Sequence, residues 1–180
     1  MIYAERICFR APEREDIPRW VAWLNDPEVL QGLSLYMPIS TAGEEKWFEG
    51  LLSRSDSDQV FVIEAHQGTE PESWKPIGNV GLHGIEWRVR TAEFGIFIGE
   101  KALWNQGYGT DATRLVLRYG FDTLNLNRIY LRVYETNPGA IWAYEKAGFV
   151  HEGRMRQAEF KQGSYIDVLY MSVLRSEWKG

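Results

Sequence analysis

Short runs of apolar residues, separated by glycine, proline and charged residues, predict about seven β-strands along this chain. In order, they are ICF, QVFVIEAH, PIGNVGLHGIEW, TAEFGIFIG, RIYLRVY, FVHEGRMRQAEF and SYIDVLYMSVL. The polar segment GTEPESWK, at 68–75, predicts a surface loop between the second and third strands. The last two strands flank Gln162-Gly163, a dipeptide that favours a tight hairpin turn.

Apolar residues that recur every three or four positions predict about four helices between these strands. The stripes are Ile17, Trp20, Val21 and Leu24; Trp47, Phe48, Leu51 and Leu52; Ala112, Leu115, Val116 and Tyr119; and Ala140, Tyr144 and Ala147. Each stripe is expected to face the core of the protein.

Residues with strong positional preferences predict where several helices begin and end. Asp26-Pro27 predicts an N-cap and the first residue of a short additional helical piece. Thr41-Ala-Gly-Glu44 matches a capping box. Asn137 and Pro138 predict the start of the last helix, and Gly148 its end.

The order of these elements indicates the fold class. One strand is followed by two helices, three strands, a helix, a strand, a helix and two strands. This order predicts an α/β fold with a mixed, mostly antiparallel central sheet and one βαβα region. A chain of 180 residues has the length of one domain, so we expect a single domain over 1–180.

Composition and charge exclude some classes of function. The formal net charge of −5 at pH 7 argues against general nucleic-acid binding and favours a cationic small partner. No apolar run approaches the roughly 18 residues that a membrane-spanning helix needs. Glu5 and Arg6 stand where a signal peptide would need its apolar stretch. The one cysteine, Cys8, cannot form an internal disulfide, so we expect a cytoplasmic protein in which Cys8 is a small buried hydrophobe.

The segment WNQGYGTDA, at 104–112, places Gly107 and Gly109 just before a predicted helix. Glycine allows close approach of a ligand, and the first amides of a helix lack internal partners, so this segment is a candidate phosphate site. A nucleoside-triphosphate loop is excluded, because Gly-Thr-Asp stands where Gly-Lys-Ser/Thr is needed. A tight strand-to-helix turn without a ligand remains an alternative.

A dinucleotide-binding fold is a further alternative for the same glycines. Gly107-x-Gly109-x-x-Ala112 satisfies the relaxed fingerprint, and Glu135 follows roughly 20 residues later. However, GEKALW separates the glycines from the preceding strand, and the chain has one such unit rather than a repeated series. These two features weigh against a nicotinamide-dinucleotide protein.

The segment NPGAIWAYEKAGF, at 137–149, combines with the glycine loop to indicate a family. Their order and spacing resemble the GNAT superfamily of N-acetyltransferases, over about 78–174. The resemblance is strongest to the branch of ribosomal-protein N-terminal acetyltransferases and spermidine acetyltransferases. It is carried by GNVGLHGI, AEFGIFI, NLNRIYLRVYETN and YIDVLYMSVLRSEW.

The resemblance implies that acetyl-coenzyme A (acetyl-CoA) is the co-substrate. Its pyrophosphate would meet the backbone amides of Gln106, Gly107, Tyr108, Gly109 and Thr110. Its pantetheine arm would pair like an added strand with Gly95, Ile96, Phe97 and Ile98, and would contact the side chain of Asn137. One position departs from the family pattern: Trp104 stands where arginine or glutamine is usual, which removes one polar side chain and puts affinity in doubt.

The resemblance also implies catalytic roles. Tyr144 matches the tyrosine that contacts acetyl-CoA and protonates the departing thiolate, and Glu93 is the first candidate for the base that deprotonates the amine. Glu86, His83 and a water chain remain alternatives to Glu93, and strand amides near Phe97 and Ile98 are candidate oxyanion donors. No covalent nucleophile is indicated, so direct attack by the amine is favoured. The histidines are scattered without metal-ligand spacing, so no metal site is predicted.

The acceptor is predicted only as an amine. The resemblance implies that the first two helices and their loops form its rim, and these carry many acids and four aromatics, Trp20, Trp23, Tyr36 and Trp47. Acids and aromatics suit a cationic amine, but the same residues also fit a packed core and a solvated face. Peptide N-termini, polyamines, amino sugars and amino acids stay open, as do a homodimer and a catalytically silent CoA-binding sensor.

Overall fold

The computed structural model describes residues 1–53, 57–68 and 73–180, and within them eight strands form one sheet. The strands are β1 (Ile2–Tyr3), β2 (Ile7–Arg10), β3 (Gln59–His66), β4 (Trp74–Glu86), β5 (Thr91–Ile98), β6 (Arg128–Tyr134), β7 (Val150–Lys161) and β8 (Ser164–Leu174). The helices are α1 (Ile17–Trp23), α2 (Pro27–Leu30), α3 (Thr41–Leu52), α4 (Tyr108–Arg118) and α5 (Pro138–Ala147). Of the predicted loop at 68–75, residues 69–72 lie outside the described part.

The strands lie across the sheet in the order β1-β2-β3-β4-β5-β6-β8-β7. Neighbouring strands are antiparallel except β5 and β6, which are parallel and are connected through α4. The prediction of an α/β fold with a mixed, mostly antiparallel sheet is confirmed. The structure adds β1 to the predicted strands, because two residues are too few to show a strand pattern.

Helices pack on both faces of the sheet. Leu115 and Val116 of α4 join the largest apolar cluster, together with Ile96 of β5. The next residue of β5, Phe97, belongs instead to a cluster built around Trp20 of α1 and residues of α3. Since adjacent strand residues face opposite sides, α4 and α5 cover one face and α1 and α3 the other. No helix in the described ranges is long and apolar enough to cross a membrane.

Hydrogen bonds at the helix ends confirm two of the three predicted N-caps. Asp26 and Asn137 cap α2 and α5, each accepting from an amide two or three residues further on, at 2.9 and 3.1 Å. The capping box predicted at Thr41 is wrong by one residue. Ser40 has extended backbone and its Oγ accepts from the amide of Gly43 at 3.0 Å, so Thr41 is already the first helical residue.

The hairpin of β7 and β8 closes through Gln162 and Gly163, whose φ angles are 50° and 81°. Two successive positive φ values are what a type I′ turn requires, so the predicted turn is confirmed. β7, which precedes the turn, forms one edge of the sheet, and most of its residues are exposed.

Cys8 is fully buried, as predicted. Burial, followed by the nearby carboxylate of Glu64, raises the pKa of its thiol to about 11. Since the thiolate is the reactive form of cysteine, the folded protein keeps this side chain protonated and inert at neutral pH.

Candidate active site

A gap opens in the sheet between β5 and β6. The two strands pair at three positions only, ending with Glu93 opposite Tyr130. Beyond that pair β5 continues to Ile98 along β4, and β6 continues to Tyr134 along β8. In the described structure the two strands therefore separate, and each leaves one backbone edge facing the other.

The direction of the backbone groups along β5 follows from one hydrogen bond. The amide of Gly99 donates to the carbonyl of Ile77 at 2.8 Å, so the backbone of Gly99 faces β4. Successive residues of a strand direct their backbone groups to opposite sides. Gly95 and Phe97 therefore also bond to β4, and the amide of Phe97 is turned away from the gap.

The alternate residues of β5 direct their backbone groups away from β4. The backbone groups of Phe94, Ile96 and Ile98 face the gap, where they are available to an added strand. Trp104, the residue that departs from the family pattern, occupies one of these groups, because its indole Nε1 donates to the carbonyl of Ile98 at 2.8 Å. The amide of Ile98 keeps its direction into the gap.

The glycine loop lies at the start of α4. Gly107 is the N-cap residue and has φ = 88°, in the left-handed region that glycine tolerates best. The first helical hydrogen bond runs from the amide of Asp111 to the carbonyl of Gly107, at 3.0 Å. The amides of Tyr108, Gly109 and Thr110 precede that bond and lack a helical acceptor, so they form an anion-binding set at the positive end of the helix dipole.

Two further features shape this loop. A Cβ added to Gly109 would meet nothing within 4 Å, so the loop is open on that side. The side chain of Gln106 donates to the carbonyl of Ala102 at 2.7 Å, which ties it to the preceding turn. The backbone of this loop is therefore accessible to a ligand, while the Gln106 side chain is directed backwards.

Tyr144, on α5, lies where the gap opens. Its half-buried ring packs edge-on against Phe94, with centroids 5.7 Å apart, and lies 5.9 Å from Phe149. Phe94 is the first residue of β5 beyond the last pair with β6. The apolar surroundings raise the pKa of the Tyr144 phenol well above its usual value, so the hydroxyl is a proton donor at neutral pH.

Asn137 serves first as a helix cap. Its Oδ1 accepts from the amide of Ala140 at 3.1 Å, which leaves its amide nitrogen as the group available to a ligand. The loop after α2 passes close to this nitrogen, since a Cβ added to Gly32 would lie 3.1 Å from it. A residue larger than glycine at position 32 would press on Asn137.

The candidate bases lie at different places. Glu93 occupies the last β5–β6 pair, and its Oε1 accepts from Arg132 Nε at 2.7 Å. His83 pairs across from Glu93 on β4, and a Cβ added to Gly95 would lie 3.4 Å from its Nε2. Glu86 lies instead at the β4–β5 turn, where its carboxylate accepts from a backbone amide at 3.0 Å. The structure therefore places Glu93 and His83 opposite each other on neighbouring strands, whereas Glu86 lies at the β4–β5 turn, away from the gap.

Most of the predicted acceptor aromatics belong to the core. Trp20 and Trp47 meet edge-on at 5.6 Å, and Trp23 lies edge-on to Phe97 at 6.2 Å. Packing is therefore their structural role. Tyr36 differs, because 64% of its surface is exposed in the loop after α2.

Sequence reasoning missed a polar group next to Tyr36. The hydroxyls of Tyr36 and Tyr134 both donate to the carboxylate of Glu159, on β7, and Tyr134 also bonds to Ser34 at 2.8 Å. The bond to Glu159 raises the pKa of the Tyr36 phenol to about 12. Lys161 lies 5.3 and 5.5 Å from the two tyrosine rings. We call Tyr36, Tyr134, Glu159 and Lys161 the rim cluster.

Comparison with known proteins identifies relatives over almost the whole chain. The family model described as acetyltransferase (GNAT) domain matches residues 6–150. The spermidine N(1)-acetyltransferase of Vibrio cholerae is 33% identical over 175 residues, which cover 96% of this chain and 95% of the relative. The uncharacterized N-acetyltransferase p20 of Bacillus licheniformis is 30% identical over 99% of this chain and 98% of its own. A crystal structure of spermidine N-acetyltransferase from Vibrio cholerae, in complex with CoA and spermine, superposes with a TM-score of 0.86 at 30% identity, over 96% of this chain and 97% of that one.

Proposed function

The chain belongs to the acetyltransferase (GNAT) family, and from this premise we propose that it acetylates a primary amine of a polyamine such as spermidine. It is an acetyl-CoA-dependent N-acetyltransferase. The acceptor, the site residues and the direct attack are the proposed part. The observation that carries them is the gap between β5 and β6, which adjoins both the glycine loop and Tyr144.

The residues present fit acetyl-CoA at two places. The free amides of Tyr108, Gly109 and Thr110 suit the pyrophosphate, because backbone donors at a helix N-terminus bind anions. The backbone of Ile96 suits an amide group of the pantetheine arm, which can complete a strand edge. When bound, acetyl-CoA supplies the acetyl group as a thioester, whose carbonyl carbon accepts the attacking amine.

Deprotonation of the acceptor is the first requirement. A lysine-like amine at pH 7 is neutral in about one molecule in a few thousand, which corresponds to a barrier of roughly 4–5 kcal/mol. We propose Glu93 as the group that accepts this proton, directly or through water, with Arg132 fixing the orientation of its carboxylate. His83, across the strand pair, is the alternative.

The remaining steps need a donor to the oxyanion and a donor to the thiolate. We propose the amide of Ile98 for the oxyanion, because the amide of Phe97 faces β4. Tyr144 donates its proton to the departing sulfur. The raised pKa keeps the phenol protonated until the carbon–sulfur bond breaks, and the proton that the attacking nitrogen releases then restores the phenol.

The rim cluster supports a cationic acceptor. The carboxylate of Glu159, between Tyr36 and Tyr134, offers charge and aromatic surface of the kind that binds an ammonium group. The net charge of −5 and the similarity to a spermidine acetyltransferase also favour a cationic acceptor. We propose that Glu159 contacts the part of the polyamine that does not react.

The test follows thiol release from acetyl-CoA with a disulfide dye. The acceptors are spermidine, an amino sugar and peptides that begin with Ala or Ser, and the buried Cys8 keeps the background low. Release that depends on spermidine and exceeds that with the other acceptors is the expected result. Release with the peptides alone would overturn the polyamine assignment. CoA binding without release from any acceptor would favour a silent CoA-binding domain.

A further inference from the structure

Arg6 reaches from the turn between β1 and β2 across the whole glycine loop. Its Nε donates to Asp111 Oδ2 at 3.0 Å, and its Nη1 and Nη2 lie 3.3 and 3.2 Å from the carbonyl of Gln106. Its guanidinium carbon lies 4.6 Å from the centre of the Tyr108 ring. One side chain therefore contacts the loop before, within and after its glycines.

The backbone of Arg6 is itself fixed to the sheet. Its carbonyl accepts from the amide of His66 at 3.0 Å, and the turn is closed by a bond from the amide of Ala4 to the carbonyl of Ile7 at 2.9 Å. The side chain thus extends from a rigid support. The side chain remains 43% exposed, so it is not a buried core residue.

Asp111 gives this contact an electrostatic consequence. It lies in the first turn of α4, beside the free amides that would hold a pyrophosphate. A carboxylate there interacts favourably with the helix dipole but repels a bound anion. The forked guanidinium pairs with this carboxylate and so reduces the repulsion.

We propose that Arg6 is a positioning residue for acetyl-CoA. It holds Gln106 to Asp111 in the conformation that presents the loop amides, and it neutralises Asp111 while the pyrophosphate binds. This inference rests on the proposed use of the glycine loop. It assigns to the N-terminal turn a part in co-substrate recognition that works through the loop rather than through the reacting atoms.

The first experiment measures CoA affinity by calorimetry, independently of turnover. Arg6→Ala is expected to weaken CoA binding about tenfold, because charge-assisted bonds that order the loop are lost. The CoA affinity of Arg6→Lys should lie between those of the wild type and Arg6→Ala, because lysine keeps the charge but lacks the forked guanidinium. The double variant Arg6→Ala with Asp111→Asn should bind CoA more tightly than Arg6→Ala alone. Arg118→Ala is the matched control, because Arg118 bonds to the carbonyl of Tyr3 on the same face without touching the loop.

The second experiment separates positioning from general stability. Acetyl transfer is compared between acetyl-CoA and S-acetylpantetheine, which lacks the pyrophosphate. For Arg6→Ala, the ratio of kcat/KM with acetyl-CoA to kcat/KM with S-acetylpantetheine should fall about tenfold. An unchanged ratio, or wild-type CoA affinity in Arg6→Ala, would overturn the inference. A wild-type protein that binds CoA but transfers no acetyl group would overturn the polyamine acetyltransferase proposal, while the CoA affinities still decide the role of Arg6.

Discussion

Replacing Tyr144 by phenylalanine removes one hydroxyl group and tests the proposed proton donor. The ring contacts with Phe94 and Phe149, at 5.7 and 5.9 Å, are kept. Such aromatic pairs contribute about 0.5–1.5 kcal/mol each, so the melting temperature should stay close to that of the wild type. CoA affinity should also be kept, because the substitution leaves the loop amides, the strand backbone and Asn137 unchanged.

The loss of rate can be estimated from the chemistry of the leaving group. A positioned general acid contributes about 10²- to 10⁴-fold. A thiol with a pKa near 8.5 leaves more readily than an alcohol or amine, so we expect the lower end, about 100-fold in kcat. That corresponds to about 2.7 kcal/mol of transition-state stabilisation.

The assay is thiol release from acetyl-CoA at saturating spermidine, with calorimetry for CoA affinity. Tyr119→Phe is the matched control, because Tyr119 is also a partly buried phenol with a raised pKa, stacked edge-on against Phe61 at 5.2 Å. A kcat for Tyr144→Phe within a factor of about three of both wild type and control would remove Tyr144 from the mechanism. Since the pKa of Tyr144 lies above its usual value, its proton is retained up to pH 9, and the wild-type rate should show no decline from this group below that pH.

Other substitutions test the remaining parts of the site. Glu93→Gln should lower kcat/KM about 100-fold near pH 7 and less at pH 9, where more of the amine is already neutral; a loss equal at both pH values would contradict a role as base. Gly107→Ala forces a side chain into φ = 88° and should destabilise the loop by about 1 kcal/mol or more, seen as weaker CoA binding by calorimetry. Asn137→Ala removes a cap and should lower the free energy of unfolding by about 1 kcal/mol in urea. Cys8 should react with a disulfide dye only on unfolding, because its thiol pKa is about 11; rapid labelling of the native protein would refute its burial.

Local patterns predicted the elements well. Apolar spacing located the strands and helices, and Asp26, Asn137 and Gly148 act at the helix ends as their chemistry suggests. The error at Thr41 has a local cause. Ser40 and Thr41 are both good caps, and only the backbone conformation, extended at Ser40, decides between them.

Contacts between distant segments explain what the sequence did not reveal. Arg6 and Asp111 are 105 positions apart, and Tyr36 and Glu159 are 123 positions apart. No periodicity links such pairs, because only the tertiary arrangement of turn, helix, loop and strand brings them together. Trp104 departs from the family pattern in the sequence, but its bond to the carbonyl of Ile98 depends on the turn that follows β5.

The three residue pairs that join β5 to β6 have a mechanical consequence. On one side of them lie β1 to β5 and on the other lie β6, β8 and β7, so these pairs are the only strand pairing between the two parts of the sheet in the described residues. A pantetheine arm between β5 and β6 would bond to both parts and add to that pairing. Ligand that binds the folded state at 100 times its Kd stabilises it by about 2.7 kcal/mol, so CoA at that concentration should raise the free energy of unfolding by this amount.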